Sequence, residues 1–179
     1  TSDALRRLRR SGLIDHAPYG SITLTAAGRA HAVDMVRRHR LIETFLVQAL
    51  DYTWDQVHEE AEILEHAVSE FMIARIADYL GHPDRDPHGD PIPAADGSVE
   101  RLTAISLTHL GVGVSASVER ISDDDPALLQ YFASHGVAHG TIIELAEGAP
   151  FSDTVKLIAP EAQLTLGPAA LDAVWVTPV

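Results

Sequence analysis

The sequence contains no cysteine among its 179 residues. Disulfide bonds and thiolate metal sites are therefore excluded, and the absence is compatible with a reducing compartment. No run of about 18 apolar residues is present, so the sequence predicts no membrane span, and no signal peptide is visible. We accordingly expect a cytoplasmic protein without a membrane partner. A hydrophobic content of 46% is enough for one or two domains with real cores.

Positive charge is also scarce, and it is unevenly distributed. The formal net charge of −13 argues against a general nucleic-acid coat. Residues 1–50 nevertheless hold eight arginines and only four acidic residues, whereas residues 51–130 hold four arginines and seventeen acidic residues. The sequence thus places a basic head before an acidic middle.

Histidine and glutamate are concentrated in residues 57–66, which hold two histidines and four glutamates. Helix-favouring residues without Gly or Pro predict a helix here, on which positions i, i+3 and i+4 share a face. An upstream stretch repeats the i, i+4 spacing of His and Glu. Two such helices joined by a short turn can converge on a divalent cation, and the candidate ligands are His39, Glu43, His58, Glu62, Glu65 and His66.

A merely solvated acidic helix face is the alternative explanation, and it is the usual one for any single His/Glu pair. Several carboxylates on one face repel one another, however, and they destabilise a helix unless a cation or an arginine neutralises them. The repetition of the pattern on two helices therefore favours a metal site.

The basic head has a recognisable order of elements. Residues 2–11 predict the back half of a helix with four arginines, and Gly12 ends it. Residues 13–16 and 21–24 predict a β-hairpin, and another helix follows. This is the order of a winged helix-turn-helix, in which the helix enters a major groove and the hairpin touches the DNA backbone. Because a short basic helix and a hairpin occur in many folds, the order alone is weak evidence.

Three further helices are predicted over residues 25–50, 53–68 and 69–80. So small a helical module cannot bury every apolar residue of the last helix, and this predicts a helix-mediated homodimer. Residues 81–100 hold four Pro and three Gly, which indicates a linker. Its His82 and His88 could bind a metal ion, but we interpret them as surface loop histidines.

The pattern then changes to β-structure. Short apolar or alternating runs are interrupted by one helix over residues 127–134, which suggests a small barrel of SH3 type; the runs cover residues 102–107, 113–121, 141–146, 154–158, 163–166 and 173–176. Three aspartates at positions 123–125 either cap that helix or supply extra carboxylate ligands.

The predicted fold class is α+β. We divide the chain into a partial winged-helix domain (1–28), a helical metal-binding and dimerisation domain (29–81), a linker (82–101) and an SH3-like domain (102–179).

In this order of parts and in three motifs, the chain resembles the diphtheria toxin repressor family of metal-activated transcription regulators. Within that family it is most similar to the actinobacterial manganese transport regulators. The resemblance covers nearly the whole chain, and its motifs are His39-x-x-x-Glu43, His58-x-x-x-Glu62-x-x-Glu65-His66 and the run Asp-Pro-His-Gly-Asp-Pro-Ile-Pro at residues 86–93. It implies a homodimer without enzymatic activity. Such a dimer would bind operator DNA when Mn²⁺ is abundant and would repress genes for metal uptake.

The resemblance also implies two metal ions per subunit. One site would use Glu62, Glu65 and His66, and the other would use His39, Glu43 and His58 together with Asp123 and Asp124 of the barrel. Iron-sensing relatives have Cys where this chain has Glu62, and hard oxygen ligands suit Mn²⁺. Fe²⁺, Co²⁺, Zn²⁺ or Cd²⁺ are expected to occupy the same sites in vitro.

For DNA binding, the resemblance implies base contacts from Thr1, Ser2 and Asp3. Phosphate contacts are implied for Arg6, Arg7, Arg9 and Arg10, and Tyr19 of the hairpin is a further DNA-binding candidate. We expect the family's first two helices and the first half of its recognition helix to lie upstream of Thr1. The linker after Gly97 is expected to be shorter than in relatives.

Three other functions stay open at this point. One is an iron-dependent regulator of the same family. Another is a di-metal carboxylate oxidase, which also uses Glu and His on paired helices; the chain has no second Glu-x-x-Glu-His, however, and an oxidase would leave the basic head unexplained. The third is a metal-storage or metal-delivery protein that does not bind DNA.

Overall fold

The computed structural model describes residues 2–16 and 20–179. In these ranges no helix is both long and apolar enough to cross a lipid bilayer. The elements in chain order are α1 (Ser2–Arg10), β1 (Ile14–His16), β2 (Ile22–Leu24), α2 (Ala26–Leu50), α3 (Trp54–Glu65), α4 (Glu70–Tyr79), β3 (Ile105–Ser106), a 3-10 turn (Leu107–His109), β4 (Ser115–Ile121), α5 (Pro126–Ser134), β5 (Ile142–Glu147), β6 (Val155–Ile158), β7 (Gln163–Leu166), α6 (Pro168–Asp172) and β8 (Val174–Pro178).

The predicted hairpin is confirmed, and it is attached directly to α2. Strands β1 and β2 pair in antiparallel fashion. The Thr25 hydroxyl donates to the Gly12 carbonyl at 2.6 Å and accepts from the Gly28 amide at 3.0 Å, which caps the helix. A methyl group at Gly28 would overlap the Leu13 carbonyl. Glycine there lets α2 begin against the hairpin, so the basic head and α2 form one unit.

The three predicted helices of the middle region are also confirmed, although α3 ends at Glu65, earlier than predicted. The buried guanidinium of Arg38 explains this end. It donates to the Val68 carbonyl at 2.8 Å and to the Glu65 carbonyl at 3.4 Å, and it pairs with Asp34 and Glu70. These bonds satisfy backbone carbonyls that the end of a helix leaves free. The core of this helical layer comprises Leu41, Ile42, Leu46, Val57, Ala61, Ile73, Ile76, Ala77 and Ile92.

The C-terminal region forms one antiparallel sheet in the order β3-β8-β4-β5-β6-β7. The predicted strands are confirmed, except that the first is reduced to two residues and continues as a 3-10 turn. Phe132 of α5 and Leu171 of α6 are buried in the same core as the inner residues of the sheet, including Val118, Leu157 and Val176. This domain therefore has a core of its own.

The segment between the two cores is not a plain surface linker. Asp86, His88 and Asp90 are buried, so the interpretation of His88 as a surface histidine is wrong. His82, by contrast, is exposed as predicted. The amide of Ile121 donates to the His88 carbonyl at 2.9 Å, which ties the segment to β4.

The other side of this segment is held by α2. The Arg37 guanidinium donates to the Pro93 carbonyl at 2.7 Å, and that of Arg40 donates to the Pro91 carbonyl at 2.6 Å. The four prolines predict a stiff segment, but the sequence pattern does not show that arginines 51 and 56 residues away will satisfy its carbonyls. The segment is therefore packed between the helical layer and the sheet.

Gly89 allows the closest approach within this packing, and we predict that Gly89→Ala is strongly destabilising. Its φ is +91°, and a methyl group there would overlap the Glu119 carbonyl. Left-handed strain and a backbone clash each cost about 1–3 kcal/mol. Gly97 is the matched control, because its φ is also positive, at +82°, but the nearest atom to an added methyl group is 4.0 Å away. Urea unfolding should give a loss of about 1 kcal/mol for Gly97→Ala; equal losses for the two variants would contradict the prediction.

Candidate metal centre

The candidate metal ligands of α2 and α3 form a cluster around the carboxylate of Glu43, which is only 1% exposed. Helix α2 presents Glu43 and His39 one turn apart on the same face, because residues at i and i+4 are neighbours on a helix. A buried carboxylate is costly unless charged or hydrogen-bonding partners surround it. The partners of Glu43 come from α2, from α3 and from the segment around residue 88.

The first set of partners consists of two imidazoles. His39 Nε2 lies 3.0 Å from Glu43 Oε1, and His58 Nδ1 lies 3.4 Å from the same oxygen. The two histidines also face each other, with 3.3 Å between His39 Nε2 and His58 Nδ1. One ligand atom from each of the three residues lies within 4.8 Å of the others. Helices α2 and α3 therefore bring two imidazoles and one carboxylate to a common point.

A second group shares Glu43 with the first. Glu43, Asp86 and His88 place one ligand atom each within 4.8 Å of one another, and all three residues are buried. Asp86 Oδ1 accepts from the amides of His88 and Asp90, both at 2.9 Å, in a tight turn that fixes its carboxylate. The His88 ring packs edge-on against Trp54 at 5.5 Å between centroids.

Both ring nitrogens of His88 are buried and have no hydrogen-bond partner among the described residues. Buried polar atoms in folded proteins almost always have one, so an unpaired imidazole beside two carboxylates requires an explanation. A divalent cation would supply it, because neutral imidazole nitrogen and carboxylate oxygen are both ligands of such ions. The residues present therefore fit a metal ion.

The pKa shifts in the cluster are also consistent with a site for a cation. Burial lowers the pKa of His39, but hydrogen bonds and charges from Glu43 and Glu65 outweigh it and raise this pKa to about 9. Burial alone would raise the pKa of Glu43, yet His39 and the other two imidazoles lower it. Burial and the charge of Asp90 raise the pKa of Asp86 to about 7, while burial lowers that of His88. A protonated His39 thus contributes positive charge beside Glu43 and Glu65.

The second predicted site, Glu62 with Glu65 and His66, is less closely assembled. In the part of the chain that the structure describes, these residues do not form a compact group of three ligand atoms. Glu65 Oε2 instead accepts from His39 Nδ1 at 2.8 Å, while its Oε1 lies 3.5 Å from His66 Nε2. The side chain of Glu62 is 64% exposed and that of His66 is 73% exposed. These two residues face solvent beside the cluster.

Only one of the two barrel candidates reaches the cluster. Asp123 Oδ2 lies 3.9 Å from His58 Nδ1. Asp124 Oδ2 accepts from the Ser122 hydroxyl at 2.7 Å and belongs to neither three-residue group, so the geometry does not support Asp124 as a ligand. The capping role left open for the aspartates belongs to Asp125, which accepts from the amides of Ala127 and Leu128.

The predicted DNA-binding residues that the structure describes lie on α1, far along the chain from the cluster. The arginines of α1 are exposed, and Asp3 pairs with Arg6 at 3.2 Å. Asp3 is therefore engaged within its own helix. Of the other candidates, Thr1 and Tyr19 lie outside the described residues, as does the side chain of Ser2.

Asp86 was not among the predicted ligands, and His88 was considered as a possible ligand but interpreted as a surface loop histidine. Their spacing, Asp86-Pro87-His88 followed by Gly89, was visible in the sequence. A composition rich in Pro and Gly favours an exposed linker, and that argument outweighed the presence of two ligand-type side chains. Only the packing of the segment between α2 and β4 shows that they are buried.

Two known protein families match separate parts of the chain. Residues 25–94 match the family described as "Iron dependent repressor, metal binding and dimerisation domain", and residues 105–178 match the FeoA domain. The iron-dependent repressor IdeR of Mycobacterium leprae is 30% identical over 177 residues, which cover 92% of this chain and 76% of that relative. IdeR of Mycobacterium tuberculosis (strain ATCC 25618 / H37Rv) is 31% identical over 162 residues, covering 90% of this chain and 58% of that relative.

A solved structure described as "Manganese-dependent transcriptional repressor complex with manganese" has a TM-score of 0.90 and 46% sequence identity. The similarity covers 99% of this chain and 83% of that one. With the FeoA match, it confirms the predicted α+β architecture with an SH3-like C-terminal domain.

The raised pKa of His39 predicts how the stability of the metal-free protein depends on pH. Its pKa of about 9 lies above the usual 6.5, so the charged ring stabilises the fold fully below pH 6.5. This stabilisation is lost as pH rises through 9 and amounts to at most about 3 kcal/mol. With a chelator present, the unfolding temperature should therefore fall between pH 6.5 and 9.5. His39→Gln should flatten this dependence, whereas His82→Gln, which removes an exposed histidine, should not; parallel curves for wild type and His39→Gln would refute the assignment.

Proposed function

The chain belongs to the diphtheria toxin repressor family of metal-dependent regulators, and we propose that it is a manganese-responsive transcriptional repressor. It would bind operator DNA as a homodimer in the cytoplasm and repress genes for metal uptake. One observation supports this above the others. Glu43 is shared by two groups of potential ligands that come from α2, α3 and the segment around His88. Residues from separate elements that meet at one buried carboxylate are suited to sensing a metal rather than only storing it.

We propose two metal positions per subunit. The first would be held by His39, Glu43 and His58, with Asp86, His88 and Asp123 completing it. The second would be held by Glu62, Glu65 and His66. A bound divalent cation would supply concentrated positive charge at a place where the chain offers mainly carboxylates and imidazoles. The oxygen-rich donor set and the absence of cysteine favour Mn²⁺ over softer metals, although Fe²⁺, Co²⁺, Zn²⁺ and Cd²⁺ fit the same donors.

His39 connects the two positions. Its two ring nitrogens hold Glu43 and Glu65, at 3.0 and 2.8 Å. To act as a ligand, His39 must lose one proton, since only a neutral imidazole donates a lone pair. The other ring nitrogen, Nδ1, would keep its proton and go on donating to Glu65, as ligating histidines usually do to a carboxylate.

Helix α2 links the cluster to the basic head. The head is docked at Gly28, and His39 follows about three helical turns later on the same continuous helix. A change in how α3 and the 86–90 segment are held on α2 therefore changes their setting relative to the head. For a dimer, this setting would decide whether two recognition helices are spaced about one DNA turn apart.

The proposed dimer face lies on α4. Phe71 is 77% exposed, and Met72 and Tyr79 are also exposed on this helix. Large apolar side chains grouped on one surface typically mark a protein interface. The matched family model is itself described as a dimerisation domain. This supports a homodimer in which α4 meets its counterpart.

Metal-dependent DNA binding tests the proposal. We expect the full-length protein to bind a fluorescent fragment of its own upstream DNA tightly with Mn²⁺ and to lose this binding with chelator, as measured by anisotropy. Glu43→Gln should weaken the Mn²⁺-dependent binding at least about tenfold, because it removes the charge shared by both ligand groups. Glu59→Gln is the matched control, since Glu59 is exposed on α3. Equal DNA binding with and without metal would refute the proposal.

Metal preference provides a separate test through Glu62. Replacing it by cysteine introduces a soft thiolate into a hard donor set, so Glu62→Cys should raise the affinity for Zn²⁺ and Co²⁺ relative to Mn²⁺ about tenfold or more. Competition titrations with a metal indicator dye measure this ratio. Glu59→Cys adds a thiol elsewhere on α3 and should leave the ratio unchanged. Tight DNA binding with Fe²⁺ but not with Mn²⁺ under anaerobic conditions would favour the iron-dependent alternative instead.

A further inference from the structure

The carboxylate of Asp90 is buried and lies between two guanidinium groups. Its Oδ1 accepts from Arg40 Nη2 at 3.0 Å, and its Oδ2 accepts from Arg120 Nε at 3.0 Å. The Asp90 side chain is only 9% exposed. Both oxygens are therefore engaged by arginine, and Asp90 belongs to neither group of potential metal ligands. Its role therefore depends on the elements to which the two arginines connect it.

Arg40 connects Asp90 to α2. It follows His39 directly in the sequence and lies three residues before Glu43. Besides Asp90, its guanidinium contacts Asp86 Oδ2 at 3.4 Å and donates to the Pro91 carbonyl at 2.6 Å. One side chain of α2 thus contacts the turn that presents Asp86 and His88.

Arg120 connects Asp90 to the C-terminal domain. It belongs to β4 and lies over the Trp175 ring of β8, with 4.4 Å from its Cζ to the ring centroid. The next residue, Ile121, donates its amide to the His88 carbonyl. Asp123, which lies 3.9 Å from His58, follows three residues after Arg120. Arg120 therefore ties Asp90 to the strand that leads to Asp123.

We infer that Asp90 is a positioning residue for the metal cluster, acting as the charged bridge that aligns its separate sources of ligands. This inference rests on the proposed function, namely that the cluster binds metal. The bridge joins α2, which provides His39 and Glu43, to the segment with Asp86 and His88 and to the strand that leads to Asp123. Each arginine bonds a different oxygen of Asp90, so an asparagine would keep one of these acceptors and turn its amide donors toward the other guanidinium.

The test uses the full-length protein and counts bound Mn²⁺ from the loss of the EPR signal of the free ion. Two reference variants identify the two classes of binding: His88→Ala should weaken the class at Glu43, and Glu62→Gln should weaken the other class. Asp90→Asn should then weaken Mn²⁺ affinity in the class at Glu43 about tenfold or more, as loss of an outer partner typically does. The affinity of the class that involves Glu62 should stay within about twofold. Glu100→Gln is the matched control, because it removes an exposed carboxylate paired with Arg85 at 2.8 Å in the same segment.

Arg120→Gln removes the same bridge from its other end and keeps the test valid if Asp90→Asn fails to fold. It should weaken the same class of sites, and the double variant should be no weaker than the weaker single variant. In chelator, the shifts in unfolding temperature for the two single changes should likewise be non-additive. Additive shifts, or an equal loss of both binding classes, would overturn the positioning role. Unchanged Mn²⁺ binding in His88→Ala and Glu62→Gln would instead refute the proposed function, and with it this inference.

Discussion

The buried charge of Glu43 is the constraint on which the rest of the structure depends. A carboxylate that is 1% exposed cannot remain ionised without close partners, and its lowered pKa shows that the fold keeps it ionised. The partners are imidazoles from three places: His39 on its own helix, His58 on α3 and His88 on the segment that leads to the sheet. Each of these elements must therefore lie at a fixed distance from one oxygen pair. The helical layer and the C-terminal domain meet around this carboxylate.

In the metal-free protein this arrangement is only partly neutralised. His39 provides a proton-dependent positive charge, but His88 stays neutral and Asp86 lies in surroundings that favour its protonated form. Arg40 contacts Asp86 at 3.4 Å, but the nearby arginines mainly hold other groups. Arg40 and Arg120 meet at Asp90, and Arg38 holds the end of α3. Arginine thus stabilises the elements around the cluster, while the cluster itself has little positive charge.

Much of the fold could be predicted from sequence because its signals are local. Capping residues, hydrophobic spacing and turn residues located the helices and strands within a few residues of their observed ends. The i, i+4 pairs on α2 and α3 were local as well. The partners of His88 were not, because its burial depends on Gly89 approaching the Glu119 carbonyl and on α2 arginines that lie about fifty residues upstream. The three consecutive aspartates at 123–125 likewise could not be separated until the structure assigned Asp125 to the cap and Asp124 to Ser122.

Helix α2 explains how one cluster can influence distant surfaces. It is continuous from Ala26 to Leu50, and neither glycine nor proline interrupts it after Gly28. The basic head is attached at its start, the ligands lie near its middle, and α4 packs against it through the Arg38–Glu70 pair. Because a helix of this length is stiff, ligand binding is more easily accommodated by α3 and the 86–90 segment moving on α2 than by α2 bending. The basic head, the proposed dimer face and the C-terminal domain are then all positioned by contacts to α2. A change at Glu43 therefore alters how they are arranged relative to one another directly through this helix.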